Sequence, residues 1–253
     1  MKKILLCLFA IFIGTAAVAH TINWYVDGNI FHTTTCESGD DITPPTAPEK
    51  YGYTFKEWRP AVYFVDYIAS DGSNYIDTNI KVFNYVSIET KFQMLAKKDQ
   101  DWFGTADNIL NWNFDSAKNL DYFRYGSTKS KKIFFEPGYT VNDFNFVLKP
   151  HTLKIDFISN RPVIHIDNIL IGTMDDTDID FSNSQSTIKI SSARTPSYAR
   201  WYSFKIFDNG GNVLFDGKPA VDMNGNAGMY DLVTKQMFYA SSGPHFTAGN
   251  SIE

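Results

Sequence analysis

Apolar and polar residues alternate along much of this chain, and the dominant period is two. Ile22, Trp24 and Val26 alternate with Asn23 and Tyr25 ahead of an Asp27-Gly28 turn signal and Ile30, which predicts a β-hairpin. Val86, Ile88, Thr90, Phe92 and Met94 alternate with Ser87, Glu89, Lys91 and Gln93, the signature of a strand with one wet face. The pattern returns at Leu153, Ile155 and Phe157, at Ile164 and Ile166 before Asp167-Asn168, and at Ile188 and Ile190 around Lys189. It returns again at Tyr202, Phe204 and Ile206 before Asp208-Asn209-Gly210-Gly211. No long stretch carries the helical period. Short strands at this spacing, separated by Gly and Asn turns, predict an all-β sandwich.

Two segments interrupt the alternation. Residues 1–19 begin with Lys2 and Lys3, continue through an apolar run from Ile4 to Ile13, and end on Ala17-Val18-Ala19. That order reads as a secretory signal peptide cleaved before His20, and the run is shorter than the ~20 residues of a spanning helix. Cys7 lies inside the run without a small residue before it, which argues against a lipoprotein. The second interruption is Pro44-Pro45 and Pro48, followed by Arg59-Pro60-Ala61; proline lacks a backbone donor and ends strand pairing, so the latter segment reads as a hinge. The expected organisation is therefore a signal at 1–19, a small module at 20–60 and a larger domain at 61–253.

Composition narrows the function classes. The chain has 253 residues, a formal net charge of −5, 16% aromatic and 20% charged residues, a balance that suits a packed core and argues against disorder and nucleic-acid binding. Loss of Lys2 and Lys3 with the signal makes the remaining chain more acidic still. It also leaves Cys36 as the sole cysteine, so no intramolecular disulfide is expected. No further apolar segment of membrane length follows, so no membrane span is expected; the oligomeric state is not fixed by the sequence.

The order Trp24-x-x-Asp27-Gly28, Gly39, Ile42-Thr43-Pro44, then Pro48-x-x-x-Gly52-Tyr53-x-Phe55-x-x-Trp58 resembles the InlB B-repeat, or Listeria–Bacteroides repeat. Its members are small β-grasp-like modules of bacterial secreted and surface proteins. Glu57 stands where that family usually has Gly. The larger region opens on Tyr67-Ile68-x-Ser70-x-Gly72-Ser73-x-Tyr75-Ile76-Asp77-Thr78 and continues through Trp102-Phe103-Gly104. It closes with Phe204-Lys205-Ile206-Phe207-Asp208-Asn209-Gly210, Gly228-Met229-Tyr230-Asp231-Leu232-Val233, Phe238-Tyr239 and Gly243-x-x-Phe246-x-Ala248-Gly249. These residues resemble the concanavalin A-like (LamG-like) jelly roll of bacterial and phage surface proteins. The resemblances imply an all-β protein acting at or outside the bacterial cell surface.

Jelly rolls of this kind include glucanases, which need two carboxylates facing across a sugar. No Glu-x-Asp-x-x-Glu run exists, and 22 of the 28 acidic residues are Asp. Asp156 and Asp167 each flank a hairpin signal and read as solvent-facing. There is no Gly-x-Ser-x-Gly elbow, and His20, His32, His151, His165 and His245 are scattered, which leaves neither a nucleophile with its base nor zinc-ligand spacing. Ser242 near His245 reads as a polar turn, and His165, between Ile164 and Ile166, as structural. The chain is expected not to be an enzyme.

No cofactor is expected; calcium alone stays open. Asp175-Asp176-Thr177-Asp178-Ile179-Asp180 offers several hard oxygens, but it lacks the Gly and Glu of an EF-hand. Asp222-Met223-Asn224-Gly225-Asn226 spaces oxygens in a second loop.

The strongest binding signal is aromatic. Between 102 and 125 stand Trp102, Phe103, Trp112, Phe114, Tyr122, Phe123 and Tyr125, interleaved with Asp101, Asp107, Asn108, Asn111, Asn113 and Arg124. Flat rings stack on the apolar face of a sugar while Asp, Asn and Arg bond its hydroxyls. Assigning Phe103, Phe114 and Phe123 to the core leaves Trp102, Asp107, Trp112, Tyr122, Arg124 and Tyr125 as the candidate ligand-binding set. The expected partner is a glycan. The rival reading is a structural or adhesive module that binds a surface protein.

Overall fold

In a computed structural model of the chain, the described residues are 19–27, 29–37, 40–55, 58, 61–82, 86–96, 100–106, 110–115, 120–125, 134–135, 149–158, 161–173, 186–191, 195–241 and 246–252. Residues 19–20, 110–115, 120–125 and 134–135 are described by backbone alone. Residues 1–18, Asp107, the Asp175–Asp180 run and the Ser242/His245 pair lie outside them. The chain divides into two compact units, Met1–Arg59 and Pro60–Glu253. Among the described residues there is no helix, and hence none long and apolar enough to cross a membrane.

In the first unit, β1 (Ala19–Val26) pairs with β2 (Asn29–Glu37) as an antiparallel hairpin. Its turn holds Asp27 at φ 50. Ile22, Trp24 and Val26 are half-buried while Asn23 and Tyr25 are exposed, as the alternation predicts. The cover for that face comes from the extended segment after the hairpin. Trp58 lies edge-on to Trp24 at 5.2 Å and packs against Phe31 and Phe55 at 5.9 and 5.2 Å. Both indoles are anchored, Trp24 Nε1 to Thr34 Oγ1 at 2.9 Å and Trp58 Nε1 to the Pro45 carbonyl at 3.1 Å. So small a unit buries few large side chains, and its aromatic cluster and tied indoles hold it together.

The second unit begins with β3 (Val62–Phe64), β4 (Ile68–Asp71), β5 (Ile76–Lys81), β6 (Ser87–Met94), β7 (Gln100–Thr105), β8 (Leu110–Asp115), β9 (Leu120–Tyr125) and β10 (Phe134–Phe135). It continues with β11 (His151–Ile158), β12 (Arg161–Ile166), β13 (Ile169–Thr173), β14 (Thr187–Ile190), β15 (Tyr198–Phe207), β16 (Val213–Asp222), β17 (Ala227–Asp231), β18 (Gln236–Phe238) and β19 (Thr247–Ala248). A large antiparallel sheet runs β10-β13-β12-β11-β6-β15-β16-β17-β18, with β3, β4 and β19 attached beside it. A smaller sheet runs β5-β14-β7-β8-β9. Neighbours in both sheets come from distant parts of the chain, as when β6 lies between β11 and β15. This is the antiparallel all-β sandwich that the alternation of the sequence predicts.

The two sheets meet through aromatic side chains. Phe92 of the large sheet stands edge-on to Trp102 of the small one at 4.0 Å, and Phe103 meets Phe204 at 5.6 Å. Around them Ile68, Ile76, Ile88, Leu153, Ile155, Ile164, Ile188, Ile190, Trp201 and Phe215 are fully or almost fully buried in one cluster. Each such side chain contributes about 1.5–3 kcal/mol through removal from water. A polar joint closes one end of the sandwich. Ser70 Oγ donates to Asn74 Oδ1 at 2.9 Å, Ser191 Oγ donates to the Asn74 carbonyl at 2.8 Å, and the Ser197 N–H donates to Ser191 Oγ at 2.9 Å. The opening Ser70-x-Gly72-Ser73 motif is therefore part of the frame.

Two β-bulges correct the simple period-two reading. On β7 the register against β8 slips between Asp101 and Phe103, so Trp102 is an extra residue and both Trp102 and Phe103 are fully buried. On β15 the register against β6 slips between Trp201 and Ser203. Tyr202 was expected in phase with Phe204 and Ile206; instead Trp201, Phe204 and Ile206 fill the core while Tyr202 and Ser203 stay half-exposed. One inserted residue shifts every side chain on one side of it by a face.

Candidate functional site

The outer face of the small sheet carries a continuous polar row. Asp77 of β5 pairs with Lys189 of β14, Lys189 with Gly104 of β7, Gly104 with Asn111 of β8, and Asn111 with Arg124 of β9. Residues paired across antiparallel strands share a face, so one register line crosses all five strands. Ile76, Ile190, Phe103, Trp112 and Phe123 form the adjacent line, and its described members are core residues. A second outer line pairs Asp101 with Asn113 and Asn113 with Tyr122.

The described end of the first row is tightly organised. Lys189 stands between buried Ile188 and Ile190, and its side chain is only 10% exposed. Its Nζ donates to Asp77 Oδ2 at 3.0 Å and to Thr187 Oγ1 at 2.9 Å, and it lies 5.8 Å from the centroid of the Tyr75 ring. Asp77 Oδ1 accepts the Asn79 N–H at 2.9 Å. Burial pushes the Asp77 carboxyl up, but hydrogen bonds from Thr187 and the Asn79 backbone, with the Lys189 ammonium, outweigh it and hold the group below its ordinary value. Asp77 is thus a fixed anion at neutral pH and a poor proton donor. Gly104 sits at the middle of the row with φ 151. Gly104 is itself buried, and lacking a Cβ it lets neighbouring groups pack closely against the strand at that point.

The six residues singled out by sequence part company here. Trp102 corrects the expectation that its ring meets a ligand: it has no exposed surface and belongs to the core, because the β7 bulge turns it inward with Phe103. Trp112 falls on the register line of Phe103 and Phe123, the same line as core residues. Tyr122 and Arg124 fall on the two outer lines, and Tyr125 pairs with Leu110. Asp107 lies outside the described residues. Asp77, Thr187, Lys189 and Tyr75 were missed, since nothing local links them to a segment between 102 and 125. Their one signal was a lysine between two isoleucines, and on a strand that alternation places the charge on the face opposite the core.

The described loops offer no group of three or more metal-ligating His, Cys, Asp or Glu side chains. In the Asp222 loop the carboxylate is already engaged. Oδ1 accepts the N–H groups of Asn224 and Asn226 at 2.9 Å each, while Oδ2 accepts Asn226 Nδ2 at 3.1 Å and the Tyr239 hydroxyl at 2.9 Å. That loop is a side-chain-capped turn. The Asp208 loop repeats it, with Oδ1 accepting the Gly210 and Asn212 N–H groups at 2.8 Å each and Oδ2 accepting Asn212 Nδ2 at 2.9 Å. Asp167 is occupied likewise, bonding His151 Nδ1 at 2.7 Å and accepting the Thr152 N–H at 2.9 Å.

Comparison with protein-family models and with curated proteins yields no match. Among solved structures, the chain is similar to the native heptameric SAP-like pentraxin from Limulus polyphemus. The TM-score is 0.41 at 7% sequence identity, over 60% of this chain and 76% of the pentraxin chain.

Proposed function

We propose that the protein is a secreted, non-catalytic binding protein of the bacterial cell surface, a B-repeat-like module followed by a jelly roll, and that its ligand is a glycan held on the outer face of the small sheet. The observation that carries this reading is the row from Asp77 through Lys189, Gly104 and Asn111 to Arg124, crossing five strands in register. A sheet face is rigid, so polar groups placed on it meet a chain of sugar hydroxyls without first being ordered.

A glycan array probed with the full chain, with and without a chelator, tests the ligand class and any role for calcium together. The double variant Asn111→Ala/Arg124→Ala is expected to lose retention at least tenfold while its unfolding transition stays in place. Undiminished retention would set this face aside. Release of reducing ends from a retained glycan would overturn the non-catalytic reading.

A further inference from the structure

The large sheet has its own cluster of aromatic and cationic side chains, at a fork. Strand β15 pairs with β4 up to Trp201 and with β16 only from Phe204 onward. Tyr202 and Ser203 fall in the gap, at the bulge against β6. The bulge turns Tyr202 outward, where its hydroxyl donates to Gln93 Oε1 at 3.3 Å and its ring lies 5.7 Å from that of Tyr67. Two cations rest on these rings. The Arg200 guanidinium is 4.5 Å from the Tyr67 centroid, and Lys91 Nζ is 5.7 Å from the Tyr202 centroid.

Tyr67 is itself braced from behind. A Cβ on Gly249 would lie 1.9 Å from Asp66 Oδ1 and 2.7 Å from the Tyr67 ring, so only glycine lets the chain end pass that closely. The Gly249 N–H donates to the Tyr67 carbonyl at 2.8 Å, and the Asp66 N–H donates to the Asn250 carbonyl at 2.9 Å. Asp66 is a carboxylate of this neighbourhood, and no ion pair among the described residues joins it to either cation; its Oδ1 is buried without a partner. Burial raises the Tyr202 hydroxyl above its usual value, and Asp66 and Tyr67 add to the rise against the opposing Arg200. Tyr202 therefore stays a donor at neutral pH.

From this geometry we infer a second binding site, formed by Arg200 and Lys91 on their Tyr67 and Tyr202 supports, for the oxyanion groups of an acidic polysaccharide. Elsewhere on the same face Lys205 is matched to Asp216 at 3.2 Å and Lys154 to Asp156 at 2.8 Å; Arg200 and Lys91 have no described carboxylate partner. A cation laid on a ring has already lost part of its rotamer freedom, so an incoming carboxylate or sulfate orders less on binding. Guanidinium takes such groups through two parallel hydrogen bonds, and lysine adds a point charge. The inference takes from the proposed function only that the ligand is a saccharide. It uses different residues on the other sheet, so the two can fail separately.

Affinity electrophoresis of the full chain tests it, in gels holding polygalacturonate, heparin or neutral dextran. Retardation by at least one acidic polymer and none by dextran is expected, with uronate and sulfate told apart by which polymer acts. Lys91→Gln/Arg200→Gln should weaken it at least tenfold. Lys154→Gln/Lys205→Gln, which makes the same charge change on the same face, and Asn111→Ala/Arg124→Ala should each leave it within twofold. The site is overturned if neither acidic polymer retards the protein or if the two lysine/arginine double variants behave alike. Gly249→Ala gives an independent reading, since displacing Tyr67 should weaken retardation with both cations still present.

Discussion

Two bulges of the same kind do opposite things in the two sheets. Each inserts one residue into one strand, and each makes two consecutive side chains point the same way. On β7 the pair is Trp102 and Phe103, and both go inward; on β15 it is Tyr202 and Ser203, and both stay off the core. Side-chain chemistry decides the direction. Trp102 closes on Phe92, edge to face at 4.0 Å, and adds a large apolar surface to the interior. A tyrosine and a serine carry hydroxyls that are costly to bury unbonded. Bulges beside a sheet edge or a fork commonly re-aim a side chain; here one re-aimed residue builds the core and the other builds a surface.

The largest predicted effect tests the inward case. Trp102→Ala removes a fully buried indole from the contact between the sheets and should cost about 3–5 kcal/mol in denaturant unfolding. A loss below ~1 kcal/mol would mean that Trp102 is not core, and the contrast between the bulges would collapse.

These bulges also mark where the sequence stops being readable. Alternation locates strands such as β6 and β11, whose buried and half-exposed residues follow the expected phase. It has no means of registering an inserted residue, so it sends Tyr202 inward and gives no sign that Trp102 turns into the core beside Phe103. The partners of the polar row were illegible for another reason. Asp77 and Lys189 are 112 positions apart, and only the order β5-β14-β7-β8-β9 brings them into line with Arg124. The aromatic segment at 102–125 did direct attention to three strands of the right sheet, and Tyr122 and Arg124 survive from it by register. Motif resemblance found mostly frame: Asp231 is fully buried and accepts the Asp216 and Val233 N–H groups at 2.8 and 3.1 Å, a turn-capping role.

A second prediction compares the cations that flank the bulges. Lys189 is nearly buried against Asp77, whereas Arg200 rests half-exposed on a ring. Lys189→Met strands a partly buried carboxylate and should lose about 2 kcal/mol, less than a fully buried pair because solvent still reaches Asp77. Arg200→Gln should lose under ~1 kcal/mol, since no described carboxylate is left unpaired. The pH dependence carries the sign. The Asp77 carboxyl is lower in the folded protein than in the unfolded chain, so its contribution is present above the unfolded value of ~3.9 and is lost as pH falls through the folded one. The stability gap between the native protein and Asp77→Asn should therefore be constant above about pH 5 and close below it. A gap that widens on acidification would contradict the assigned pairing.

The smallest effects belong to Tyr202, and their size separates a surface residue from a core one. Tyr202→Ala gives up a half-exposed ring and its contact with Tyr67, for an expected loss of about 1 kcal/mol. Tyr202→Phe keeps the ring and removes only a 3.3 Å bond to Gln93. A bond of that length contributes little, so the change should stay within about 0.5 kcal/mol in the same unfolding assay. If Tyr202→Ala instead matched Trp102→Ala, the outward bulge would be structural, and the fork in the large sheet would owe its tyrosine to packing and not to a ligand.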